Sequence, residues 1–161
     1  MMSERKPQPV HLKDYRPSDF LIDTVHLYVD IHEEETYVKT ILNLRRNPAS
    51  SRTEAPLTLN GEDMVLKSVV IYGHKLSPSD YTVDKFSLTI PAVPDQFALE
   101  TKVVIKPQEN TQLSGLYKSR GNFCTQCEAE GFRRITYFLD RPDIMAKYTT
   151  TITADKTKYR L

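Results

Sequence analysis

An all-β fold, a sheet or sandwich, is predicted by three features of this sequence. Apolar and polar residues alternate along most of residues 21–105. Prolines and turn dipeptides interrupt that alternation at short intervals. Only one stretch, residues 131–146, has a helical look, and it is short. The expectation is therefore mainly β, with one short helical segment near 131–146.

Residues 1–13 read as a flexible lead-in, with Pro7, Pro9 and Pro17 opposing regular structure up to residue 19. The domain is expected to run over 14–161. Leu21, Val25, Leu27, Val29 and Ile31 are assigned to one face of a first strand, with Asp23, His26, Asp30 and His32 on the other. Glu33 to Glu35 form a turn. Val38, Thr40, Leu42 and Leu44 continue the pattern in an antiparallel partner. Asn47-Pro48 punctuates, a short strand follows at Leu57–Leu59, and Asn60-Gly61 is a turn dipeptide. Val65, Lys67, Val69 and Ile71 make the next strand, broken at Gly73. Tyr81–Val83 and Phe86–Ile90 are two short strands around Asp84-Lys85. Phe97, Leu99, Thr101, Val103 and Ile105 alternate until Pro107. After the helical segment, interrupted at Pro142, the β-branched run KYTTTITA (147–154) returns to strand. The sequence stops soon after it, at TKYRL; a fragment of a longer domain is the expectation, a natural β ending the alternative.

Composition narrows the function classes. A chain of 161 residues fits one domain with a real core. The 22 basic and 21 acidic residues nearly cancel, and no basic stripe interleaves with aromatics, so no nucleic-acid partner is expected. No apolar run reaches the roughly 18–20 residues of a membrane span, and no membrane partner is expected. The charged, proline-containing start lacks the apolar core of a secretory signal, and two cysteines fit reduced thiols in a cytoplasmic protein.

The chemistry concentrates in FCTQCEAEGFRRITYFLDRPD, Phe123 to Asp143. Cys124 and Cys127 form a CxxC. Structural zinc needs four ligands. His11, His26, His32 and His74 are remote from the pair and from one another, and His26 and His32 would lie about 20 Å apart on a strand. A redox CxxC belongs at a helix start in a βαβ unit, and none is visible. Two inert, partly buried thiols are the expectation. If residues 124–130 are extended, Gln126 and Glu128 share a face and Cys127 points the other way. An amide carbonyl and a carboxylate about 7 Å apart at their bases can both accept hydrogen bonds from one ammonium. The plainer alternative for Glu128 is a solvated acid, or one paired with Arg133 or Arg134.

At this stretch the chain resembles the N-terminal domain of bacterial zinc metallopeptidases of the aminopeptidase N family. The resemblance rests on TQCEAEGFRRITYFLDRPDIMAKYTT, with HLKDYRPSDFLIDTVHLYVDI, LTLNGEDMVLKSV and PQENTQLSGLYKSRGNFCTQCEAEGF, and covers about residues 12–161. It implies a saddle-like β domain ahead of a downstream catalytic domain. It also implies that Gln126 and Glu128 help bind the free α-amino group of a peptide substrate, Gln126 also lining the first side-chain pocket. The family's HExxH motif, its later Glu and its GAMEN loop do not occur in these residues. The resemblance therefore implies zinc in the full-length enzyme with ligands outside this fragment, no cofactor in the fragment, and a fragment inactive alone. The alternative from another class is a stand-alone β-sandwich interaction module in which TQCEAEG is only structural.

Overall fold

The computed structural model describes residues 11–159. Most of the expected lead-in, residues 1–10, lies outside them, as do the last two residues; within them Leu12–Asp14 forms a 3-10 turn.

The all-β expectation holds. In chain order the strands are β1 (Phe20–Ile31), β2 (Thr36–Arg46), β3 (Leu57–Asn60), β4 (Val65–Ile71), β5 (His74–Lys75), β6 (Thr82–Val83), β7 (Ser87–Ile90), β8 (Gln96–Ile105), β9 (Gly115–Ser119), β10 (Asn122–Gln126) and β11 (Lys147–Thr153). They form a six-stranded sheet in the order β11-β1-β2-β8-β4-β5, a three-stranded sheet β3-β7-β6, and the β9–β10 hairpin. Only the β1–β11 pair is parallel among these ladders.

Period-two patterning explains the core. Rows of paired residues cross the large sheet on one face: Val25, Leu42, Leu99 and Ile71 make one, and Leu27, Thr40, Thr101 and Val69 the next. The apolar members of these rows are buried with Leu57, Leu59, Leu88 and Ile90 of the smaller sheet in a single cluster, and Thr40 and Thr101 are buried polar residues of the same rows. Each fully buried Leu, Val, Ile or Phe contributes about 1.5–3 kcal/mol of transfer free energy, so the core secures the sheets against one another. The opposite face of β1 and β2 is polar, and Lys39 places its ammonium 4.3 Å from the Tyr28 ring centroid.

Four sequence expectations need correction. Leu21 is not on the buried face of β1: Phe20 and Ile22 are, and a register shift between Ile22 and Thr24 resets the alternation before Val25. A similar shift between Leu66 and Ser68 takes Lys67 out of regular pairing and leaves Val65 56% exposed, while Val69 and Ile71 keep the core side. The helical segment of 131–146 shrinks to one 3-10 turn, Phe132–Arg134. Residues 135–139 are buried one after another, which is not the single apolar face of a helix. Their backbone is also claimed elsewhere: Phe138 exchanges two main-chain hydrogen bonds with Asn60, at 2.8 and 3.0 Å. Finally, the extended run expected over 124–130 stops at Gln126, and residues 128–131 turn.

Candidate functional site

The candidate residues lie where the β9–β10 hairpin hands the chain to the 132–139 segment, which is buried from residue 135 on. Gln126 is the last residue of β10 and pairs with Gly115 at the start of β9. The hairpin is not among the strands expected from the sequence, since GLYKS carries no clear alternation. Its turn, Arg120-Gly121, has φ of 49 and 87, the left-handed pair that suits a two-residue hairpin loop.

Beyond Gln126 the chain reverses in a tight loop closed by the Gly131 N–H, which donates to the Cys127 carbonyl at 2.9 Å. A Cβ at Gly131 would stand 2.6 Å from the Gln126 carbonyl oxygen and 2.8 Å from Ser114 Oγ. A Cβ at Gly115, whose φ is +77, would meet Arg134 Cβ at 2.6 Å. Two glycines therefore let this loop lie flat against the hairpin base. Within it the Glu128–Ala129 peptide is cis, and Glu130 has φ 66.

The turn changes how Gln126 and Glu128 are related. They do not share a strand face by alternation. Instead Gln126 Nε2 donates to the main-chain oxygen of Glu128 at 2.9 Å. A carbonyl only accepts, so the amide nitrogen faces it and Oε1 is left as an outward acceptor. Gln126 and Glu128 are both exposed.

Glu128 and Glu130 are separated by one residue and differ electrostatically. Arg133, whose side chain is only 12% exposed, holds Glu130 Oε2 at 3.3 Å through Nη2. The same guanidinium donates from Nε to Asp140 Oδ2 at 2.9 Å and from Nη2 to the Asp140 carbonyl at 3.0 Å. Arg134 binds Glu62 at 2.8 Å and also pairs with Asp63. Both arginines that might have neutralised Glu128 are thus engaged elsewhere. Among the described residues the Glu128 carboxylate has no cation and no hydrogen-bond donor. Sequence patterning missed Glu130, Arg133 and Asp140 as a unit, although the Glu-x-x-Arg spacing was available as a signal.

Cys124 and Cys127 are free and partly buried. Burial, reinforced by the Asp140 charge, pushes the Cys127 thiol above its ordinary value, the condition of an unreactive cysteine. Among the described residues no group of three or more His, Cys, Asp or Glu side chains is gathered as a metal site. The larger clefts lie elsewhere. One of about 580 Å³ is lined by Met64, Val104, Lys106 and Arg134, another of about 630 Å³ by Asp19, Arg52 and Arg141, and neither includes Gln126 or Glu128. Concavity and chemistry disagree, and the unneutralised acid beside a fixed acceptor is the more informative feature, because it specifies a ligand charge.

Comparison with known proteins adds to this geometry. The family model of the peptidase M1 N-terminal domain matches residues 15–161. An aminopeptidase N of Caulobacter vibrioides is 50% identical over 149 residues, 92% of this chain and 17% of that protein. The aminopeptidase N of Escherichia coli is 43% identical over 155 residues, 96% of this chain and again 17% of that protein. The crystal structure of Legionella pneumophila aminopeptidase A in complex with aspartic acid superposes with a TM-score of 0.86 at 34% identity, over 92% of this chain and 17% of that one. The chain spans about 17% of the length of these relatives.

Proposed function

Since the chain belongs to the peptidase M1 N-terminal domain family, we propose that it serves as the substrate-anchoring β domain of a zinc aminopeptidase that removes N-terminal residues from peptides. The observation that carries this is the Glu128 carboxylate, free of any cation among the described residues, on the residue whose main-chain oxygen holds the Gln126 amide. A peptide's α-amino group has a pKa of about 7.7–8.0 and is largely an ammonium near neutrality. Glu128 supplies the opposite charge and Gln126 Oε1 a directional acceptor. An anchor that grips the ammonium holds the first peptide bond at one distance from the anchor, which gives an exopeptidase its register.

The described residues do not fit the zinc ion. The cysteine pair lacks further ligands, and His26, His32 and His74 are not gathered with acids into a donor set. In the proposed enzyme the metal is held by another part of the polypeptide, and the residues here bind and orient. The substrate class is therefore peptides with a free N-terminus, and the partner of this domain is its own downstream catalytic domain. Two free thiols support a reducing, cytoplasmic setting. No observation favours the alternative of a stand-alone interaction module.

The test uses the full-length polypeptide and a set of short peptides with free and N-acetylated termini. Stepwise release of the first residue from free peptides only, lost on chelation and restored by zinc, is expected. Cleavage inside the acetylated peptides, or none of either kind, would overturn the proposal.

A further inference from the structure

We propose that the Arg133–Glu130 ion pair is a positioning device for the Glu128 anchor, an inference that rests on the function proposed above. Glu128 sits in a loop whose own bonds are local: Gly131 N–H to the Cys127 carbonyl, and Gln126 Nε2 to the Glu128 carbonyl. Among the described residues the Glu130 carboxylate is the loop's only charged attachment to the body of the domain. The body is hydrogen-bonded where it is attached. Asp140 receives the Arg133 main-chain N–H at 3.1 Å and the Arg133 Nε at 2.9 Å, and its own N–H donates to Asn60 Oδ1 at 3.2 Å. Asn60 belongs to β3, so a continuous chain of bonds runs from the small sheet through Asp140 and Arg133 to Glu130, two residues from the anchor.

The pair has a second consequence. Two carboxylates one residue apart on the loop would otherwise compete for the incoming ammonium. Arg133 neutralises Glu130, leaving Glu128 as the acid that meets the substrate. Glu130 is 61% exposed, and exposed ion pairs add little to folding stability. A purely structural role therefore predicts almost no effect on removing its charge.

The experiment measures inhibition constants of an amino-acid hydroxamate and its N-acetylated form on the full-length protein. The wild type, Glu130→Gln, Glu128→Gln and the double variant are compared. Glu130→Gln is expected to weaken the free-amine inhibitor by about three- to thirtyfold and to leave the acetylated one and the thermal midpoint unchanged. In the Glu128→Gln background the same change should have a clearly smaller effect, because the charge it positions is gone. Arg133→Lys, which keeps the charge without the fork, should fall between wild type and Arg133→Gln. No loss in Glu130→Gln, equal losses for both inhibitors, or an undiminished loss in the Glu128→Gln background would overturn the inference. If Glu128→Gln weakens free-amine binding while Glu130→Gln does not, only the positioning role fails. If Glu128→Gln leaves amine selectivity intact, the anchor proposal and this inference fail together.

Discussion

Gln126 and Glu128 are joined by a side-chain to main-chain hydrogen bond of 2.9 Å, not by a common strand face. That bond fixes the Gln126 amide at the point where β10 gives way to the turn. It leaves the Gln126 side-chain oxygen as an acceptor, two residues before an acid with no cation among the described residues. The same turn is permitted by Gly131 and steadied by Arg133.

Gly131→Ala tests the close approach. The new Cβ would lie 2.6 Å from one main-chain oxygen and 2.9 Å from Cys127 Cα, neither of which can rotate away. A loss of about 1–3 kcal/mol of stability is expected, measured as a lower urea midpoint at constant slope. Gly121→Ala, at a position with nothing within 4 Å, meets only backbone strain. If Gly131→Ala leaves the midpoint unchanged, the loop is not packed as described.

A buried hydroxyl pair ties the large sheet to the segment after the loop. Thr40 Oγ1 and Thr136 Oγ1 are 2.7 Å apart, and both residues are fully buried. Thr136→Val should lower stability by about 1–3 kcal/mol by orphaning the Thr40 hydroxyl, and the double replacement by valine should lower it by less than the two single changes summed. Denaturant melts of the four forms give the coupling; strict additivity would contradict the bond.

Acid sensitivity should involve Glu33. Hydrogen bonds from Tyr159 and then Lys118 hold its carboxyl below the ordinary value of 4.5. A depressed folded pKa contributes stability that is present above the unfolded value and is lost as pH falls through the folded value. Lys118 is raised above 10.5 by Tyr159 and Glu33, so its share is full below 10.5 and lost as pH rises through the folded value. Thermal midpoints of the wild type should thus drop more steeply below about pH 4.5 than those of Glu33→Gln. Parallel curves would remove Glu33 from the account.

Much of the fold was legible because burial imposes period two: Val38, Leu42 and Leu44 face the core as their alternation implies. What the pattern could not show is where the period slips. The bulge after Ile22 exchanges Leu21 for Phe20 and Ile22, and nothing in FLIDTV announces it. The 132–139 segment failed as a helix because tertiary contacts from Asn60 and Thr40 claim its polar groups, information that lies 78 or more positions away in the chain. At the site, motif resemblance picked out Gln126 and Glu128, whereas strand geometry gave the wrong reason for their pairing. The distinction between Glu128 and Glu130 needed the Arg133 side chain in place.

The most direct measurement is the kinetic comparison of wild type and Glu128→Gln in the proposed full-length enzyme, on substrates with free and N-acetylated amines. Gln keeps the shape and hydrogen-bonding capacity of Glu but removes the charge that faces the ammonium. On free-amine substrates kcat/KM is expected to fall by roughly thirty- to a thousandfold, corresponding to about 2–4 kcal/mol of transition-state stabilisation. Zinc content and thermal midpoint should stay at wild-type values, and the poor acetylated substrates should be little affected. A variant that keeps its original preference for the free amine would contradict the claim that Glu128 anchors it.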